Sequence, residues 1–90
     1  MIVFVVENAS EKLRGILTRW MIETKPGVFV GSLNPLVRDK IWGIISDYDP
    51  KGALMIASCN NEQGYQIQML GEPKRSVVDL DGLQLIKVQQ

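Results

Sequence analysis

The strongest constraint on this chain is Ile2-Val3-Phe4-Val5-Val6, five apolar residues in a row, four of them β-branched. β-branched side chains are stiff at χ1 and fit a pleated strand better than a helix. An unbroken apolar run, rather than an alternating one, is the pattern of a strand covered on both faces. The segment is therefore expected at the centre of a sheet. It runs directly into Glu7-Asn8, and Lys12 and Arg14 follow closely. A strand made for burial ends on a carboxylate and hands over to cations. Either the chain is leaving the core there, or the strand tip is a site.

Ninety residues build one small domain with one core. Ten Lys plus Arg balance ten Asp plus Glu, so overall charge does not argue for nucleic-acid binding and a local cluster would be needed. Cations lead over the first forty residues and acids afterwards. Cys59 is the only cysteine and there is no histidine. An internal disulfide, a zinc site of the usual ligands and a His-dependent triad are therefore excluded or strongly disfavoured. Carboxylate chemistry with a hard cation such as Mg²⁺ stays open. The apolar start is too short to span a membrane and lacks the basic flank of a signal peptide, so a cytoplasmic protein is expected.

Along the chain, Asn8 reads as a helix N-cap, with Glu11 three residues on completing a capping box. Leu13, Ile16, Leu17, Trp20 and Met21 recur at helical spacing, which puts Lys12 and Arg14 on opposite shoulders of one apolar stripe. Pro26-Gly27 breaks the chain before a short strand, Val28 to Val30, ended by Gly31. Asn34-Pro35 opens a second helix with a stripe of Val37, Ile41, Ile44, Ile45 and Tyr48. Trp42 projects off that stripe, either towards a partner or over the helix edge. Asp49 to Gly52 is a turn, Ala53 to Cys59 a strand in which Cys59 is a small core residue, and Asn60 to Gly64 a turn. Tyr65 to Leu70 alternates, which suggests a wet face near a sheet edge. Glu72 to Arg75 reads as a loop, and Leu83, Leu85 and Val88 as a last short strand after Asp81-Gly82.

This order predicts an α+β, ferredoxin-like sandwich: an antiparallel sheet with two helices on one face and an extra C-terminal strand. The arrangement needs one more short strand near Ile22 to Lys25, which periodicity neither demands nor excludes. The expected division is a core over residues 1–82 and a strand or tail over 83–90. The last strand could pair with its own sheet edge or with another chain.

Few residues can carry chemistry. Glu7 is either polar punctuation or a carboxylate that binds a divalent cation, and two copies across a dimer axis would supply what one lacks. Asp79 and Asp81 are either a turn or a pair of acids on one side of an extended segment. The cations include Lys12, Arg14, Arg38, Lys74 and Arg75, each by itself a solvated surface charge. Lys74-Arg75 on a loop could straddle a phosphate backbone. The aromatics lack the interleaving of a single-strand stacking platform, so phosphate contact to a duplex fits better than base reading.

"ENASEKLRG" after the first strand, "PGVFVG" at 26–31, "VRDKIW" in the second helix and "VDLDGLQLI" near the C-terminus occur in order over nearly the full length. With these motifs in register the chain resembles the small CRISPR adaptation protein of the Cas-two family, in the form that accompanies subtype I-E systems. The resemblance implies a ferredoxin-like homodimer packed through its sheets, with C-terminal strands extending onto the partner. It implies a scaffold in spacer acquisition that holds double-stranded DNA, the prespacer, between two dimers of the integrase subunit. The integrase performs the strand transfer. By the same resemblance Lys12, Arg14, Arg38, Lys74 and Arg75 contact nucleic acid. The segment carrying Leu83, Leu85, Ile86 and Val88 contacts the integrase. The family also carries an endonuclease label, for RNA or duplex DNA, which implies Glu7 as catalytic residue and as ligand to Mg²⁺ or Mn²⁺. Many members end the first strand with an aromatic and Asp, whereas this chain has Val6-Glu7. Its longer side chain places the carboxylate oxygens differently. Set apart from the family, the balanced charge suits a small interaction or ligand-sensing module without nucleic acid.

Overall fold

The computed structural model describes residues 1–71, together with the backbone of 75–80 and 83–88. Within them the chain runs β1 (Ile2–Glu7), α1 (Glu11–Leu17), β2 (Ile22–Lys25), β3 (Val28–Gly31), α2 (Pro35–Asp47), β4 (Gly52–Ser58), β5 (Tyr65–Gly71), β6 (Arg75–Leu80) and β7 (Leu83–Val88). The first five strands form one antiparallel sheet in the order β2-β3-β1-β4-β5. The expected central position of Ile2 to Val6 and the extra strand at Ile22–Lys25 are both present. With two helices this is the ferredoxin-like α+β arrangement, extended by β5 at one edge.

The core lies between the helices and one face of the sheet. Ile2, Phe4 and Val6 alternate inward along β1 and meet Leu13 and Leu17 of α1 and Ile41 and Ile45 of α2. Phe29 and Met55, directly opposite Phe4 on the two flanking strands, are fully buried with it. Trp42 resolves towards covering the core: its ring stacks on Phe4 with centroids 5.9 Å apart and planes 11° apart. Offset stacking of this kind adds to the area the rings remove from water.

Among the described residues no helix covers the other sheet face. Cross-strand register places Val3, Val30 and Ile56 side by side, then Val5, Val28 and Leu54, with Ile67 and Met69 beyond them on β5. Val3, Val5, Val28, Val30 and Ile56 keep partial exposure. The continuous apolar run of β1 thus serves two faces, of which the helices cover one.

α2 begins as its sequence requires. Asn34 Oδ1 accepts the Val37 N–H at 2.9 Å and Pro35 follows at the first helical position. α1 begins differently from expectation. Its N-cap is Ser10, whose Oγ accepts the Leu13 N–H at 3.2 Å, and not Asn8. A capping residue needs extended backbone, which Ser10 has, whereas Asn8 turns the chain with φ +55°, a left-handed conformation that Asn tolerates. The capping box with Glu11 therefore does not form at Asn8. The helix also stops at Leu17, one turn before the end of its predicted stripe. The N–H groups of Trp20 and Met21 both donate to the Leu17 carbonyl, and this tightened turn takes Trp20 off the stripe. Met21 is buried, but Trp20 is 57% exposed and is not a core residue.

Two more expectations change. Cys59 lies one residue beyond β4 and is only partly buried. Its N–H donates to the Gly64 carbonyl, so it belongs to the β4–β5 turn and not to the core. In place of one extra C-terminal strand, β6 and β7 form a separate antiparallel pair, with Arg75 opposite Val88 and Leu80 opposite Leu83. Arg75 opens β6 and does not lie in a loop.

The reassigned cap gives a direct stability test. Ser10→Ala is expected to lower the unfolding free energy by about 1 kcal/mol, the usual cost of removing an N-cap. Asn8→Gly, which keeps the left-handed turn without a Cβ, should cost less than Ser10→Ala. Urea unfolding midpoints of the two variants check the order.

Candidate nucleic-acid interface

A cleft of about 500 Å³ opens at the tip of β1, lined in part by Glu7, Asn8, Arg14, Gly27 and Lys51. Main-chain contacts bring these distant residues together. The Val6 N–H donates to the Gly27 carbonyl at 2.8 Å, which lays the Pro26-Gly27 turn on the strand tip. Gly27 has φ +82°, and a Cβ there would sit 2.5 Å from the Val6 carbonyl oxygen, so the turn requires glycine. Antiparallel register places Gly52 opposite Glu7, and Lys51 arrives beside the tip as the residue before Gly52. Gly71, at φ +65°, closes this corner, since a Cβ on it would meet the Lys51 carbonyl oxygen at 2.6 Å.

Arg14 reaches the cleft from α1 in the grip of Glu23 on β2. Arg14 Nε donates to Glu23 Oε2 at 3.0 Å and to Oε1 at 3.3 Å, and Arg14 Nη2 donates to Oε1 at 3.2 Å. Glu23 Oε2 also accepts the Gly27 N–H at 2.9 Å. One carboxylate thereby ties α1, β2 and the β2–β3 turn to the tip of β1. The Gly27 N–H first, and the Arg14 guanidinium next, hold the Glu23 carboxyl below its ordinary value, against a smaller opposing effect of partial burial.

The residues singled out from sequence divide between the two ends of the sheet. Glu7 and Arg14 line the cleft. Lys12 is exposed on α1 near the same end but is not part of the lining. Arg38 lies in the first turn of α2, which starts after the end of β3 that pairs with Ile2, and so at the opposite end of the sheet from Glu7. Its Nε donates to Asp39 Oδ1 at 3.0 Å. Lys74 and Asp81 lie outside the described residues, as does the Arg75 side chain. Asp79 pairs with Gln84 in the second sheet. Leu83, Leu85, Ile86 and Val88 all fall in β7. Sequence reasoning passed over Glu23 and Lys51, the first because its partner is nine residues away on another element, the second because its turn carried no sign of Glu7.

Metal chemistry finds little here. Among the described residues no group of three or more His, Cys, Asp or Glu side chains gathers as a metal site. Among the described residues that line the cleft, Glu7 is the carboxylate, and since Mg²⁺ takes one or two carboxylates together with substrate phosphates, a centre built on it would need a second copy of Glu7 or phosphate oxygens. Among the described residues no helix is long and apolar enough to cross a membrane.

Over residues 1–85 the sequence matches the family described as CRISPR-associated protein (Cas_Cas2CT1978). The chain belongs to this family of CRISPR-associated, Cas2-like proteins. The match spans the five-stranded sheet, both helices and the start of β7, so the cleft and its cations lie within the family's own fold.

Glu23 has a pH signature that checks its bonding. Its folded pKa is below the ordinary value of 4.5, so it binds a proton more weakly folded than unfolded. Its contribution to stability is complete above that ordinary value and disappears as pH falls through the lowered folded value. Glu23→Gln should therefore flatten the acid limb of stability against pH. Denaturant midpoints of both proteins between neutral pH and the acid limb measure the difference.

Proposed function

We propose that this Cas2-like protein acts in CRISPR adaptation as a homodimeric scaffold that holds duplex DNA and bridges integrase dimers, in the manner of subtype I-E systems, in the cytoplasm. The observation that carries the reading is the family match over residues 1–85. Two structural features support it. Arg14 and Lys51 meet at one cleft with Lys12 exposed nearby, which brings three cations to one end of the sheet beside the carboxylates of Glu7 and Glu23. The sheet face away from the helices carries Val3, Val5, Val28, Val30 and Ile56, all partly exposed, an apolar surface suited to a second copy of the chain. A six-residue strand is about 20 Å long, so cations at both ends of the sheet could follow successive phosphates of a duplex.

Scaffolding is favoured over metal-dependent cleavage because, among the described residues lining the cleft of one chain, Glu7 is the carboxylate that could serve a metal, while Glu23 is engaged by Arg14 and the Gly27 N–H. Cleavage would draw Glu7 from both subunits around Mg²⁺ or Mn²⁺. The small-module reading without nucleic acid is the alternative that the balanced overall charge leaves open.

Duplex binding is expected to be indifferent to sequence and to weaken steeply with salt. Replacing Lys12, Arg14, Lys74 and Arg75 together by Ala should weaken it at every salt concentration. It should also flatten the plot of log affinity against log salt by roughly 0.9 for each phosphate that is no longer neutralised. Fluorescence anisotropy of a labelled duplex at several salt concentrations makes the measurement, and a wild-type protein that ignores duplex even at low salt refutes the reading. Truncation before Leu83 should abolish co-purification with the integrase subunit while leaving the five-stranded sheet in place. Undiminished association of the shortened chain removes β7 from the integrase contact.

A further inference from the structure

Arg14 is the cleft cation with the most defined geometry, and its partner is an acid. A guanidinium carries five N–H donors in one rigid plane. Glu23 engages the donor on Nε and one on Nη2, which leaves both donors of Nη1 and one of Nη2 without a hydrogen bond among the described residues. Arg14 remains partly exposed at the cleft, with 42% of its side-chain surface open, while Glu23 is the more enclosed of the two. Glu23 is itself fixed from behind by the Gly27 N–H, and Gly27 is fixed on the Val6 N–H of the central strand. The guanidinium plane is therefore referenced to the sheet, although Arg14 stands on a short helix.

We propose that Glu23 is a positioning residue for phosphate recognition: it holds the Arg14 guanidinium so that its remaining donors meet a phosphate of the bound nucleic acid in the cleft at the tip of β1. The proposal rests on the duplex-holding reading given above. A long, flexible side chain loses rotamer freedom when it binds, and an Arg already held in one orientation has less to lose. Lys51, in the turn just before β4 at the cleft, adds a point charge without needing such alignment.

The proposal predicts a sign that simple charge counting does not. Glu23 is an acid beside a phosphate site, so by charge alone its removal should tighten binding of a polyanion. If Glu23 positions Arg14, its removal should loosen binding instead. Glu23→Gln suits the test, because the amide keeps the side-chain length and a carbonyl oxygen for the Gly27 N–H, and removes the charge that grips the guanidinium.

The experiment measures duplex affinity by anisotropy across a salt series for wild type, Glu23→Gln, Arg14→Ala and the double variant, with thermal midpoints alongside. The expected result is weaker binding by Glu23→Gln, by about threefold or more, as when a charge-assisted hydrogen bond to phosphate is misaligned. Its salt slope should be flatter, and Glu23→Gln should have no further effect once Arg14 is Ala. Tighter or unchanged binding by Glu23→Gln overturns the proposal and leaves the duplex-holding reading intact. An equal weakening in the Arg14→Ala background also overturns it, since Glu23 would then act through the fold and not through Arg14. Failure of the wild-type protein to bind duplex at low salt overturns the proposal together with the reading beneath it.

Discussion

Phe4 sits where the constraints on this fold meet. It occupies the middle of β1, with Phe29 opposite it on β3 and Met55 opposite it on β4, and Trp42 of α2 stacks on its ring. All three strand residues are fully removed from water. Deleting a buried Phe side chain costs about 3–5 kcal/mol, a large share of the stability a small domain has. The helices can close only over the face that carries Ile2, Phe4 and Val6, because alternation sends Val3, Val5 and Glu7 to the other side. The polarity of the sheet, with the helices on one face and the partly exposed Val3, Val5, Val28, Val30 and Ile56 on the other, follows from that single strand.

The tip of the same strand organises the cleft. Val6 holds Gly27, Gly27 holds Glu23, and Glu23 holds Arg14. Each link joins a different element, so the position of a helical cation is set by a chain of hydrogen bonds that begins in the central strand. The Arg14–Glu23 pair is largely a geometric device, since ion pairs open to water add little stability. The left-handed turn at Asn8 and the shift of the N-cap to Ser10 belong to the same corner. The chain must leave the strand, turn past the cleft and only then enter α1. Glu7 therefore lines a cleft in place of running straight into a helix.

Much of the fold was legible in residue order. The β-branched run of β1, the Asn34-Pro35 start of α2 and the Val37-to-Tyr48 stripe each draw on local backbone preference and one solvent contrast, and all stand in the structure. The α1 stripe read too far, because periodicity does not register the turn in which Trp20 and Met21 both donate to the Leu17 carbonyl. Ile22–Lys25 was required by topology alone, since a four-residue edge strand with largely exposed side chains carries no burial pattern. The site was half legible: Glu7 and Arg14 stood out as charges after an apolar strand, while Glu23 and Lys51 did not.

Composition and spacing alone determine that this chain makes an α+β sandwich around a central apolar strand, because apolar burial and turn chemistry are properties of short segments. Four motifs in order over nearly its full length likewise placed it among the CRISPR-associated proteins, as the family match bears out. Which charges meet was decided only by the tertiary structure. Arg14 faces Glu23 because β2 returns beside α1, and Lys51 stands near Glu7 because antiparallel register sets Gly52 across from it. Arg38 was carried to the far end of the sheet by the direction of β3. Electrostatic partners are chosen by distance in space, and in a sheet whose neighbouring strands are far apart in sequence that distance exists only after folding.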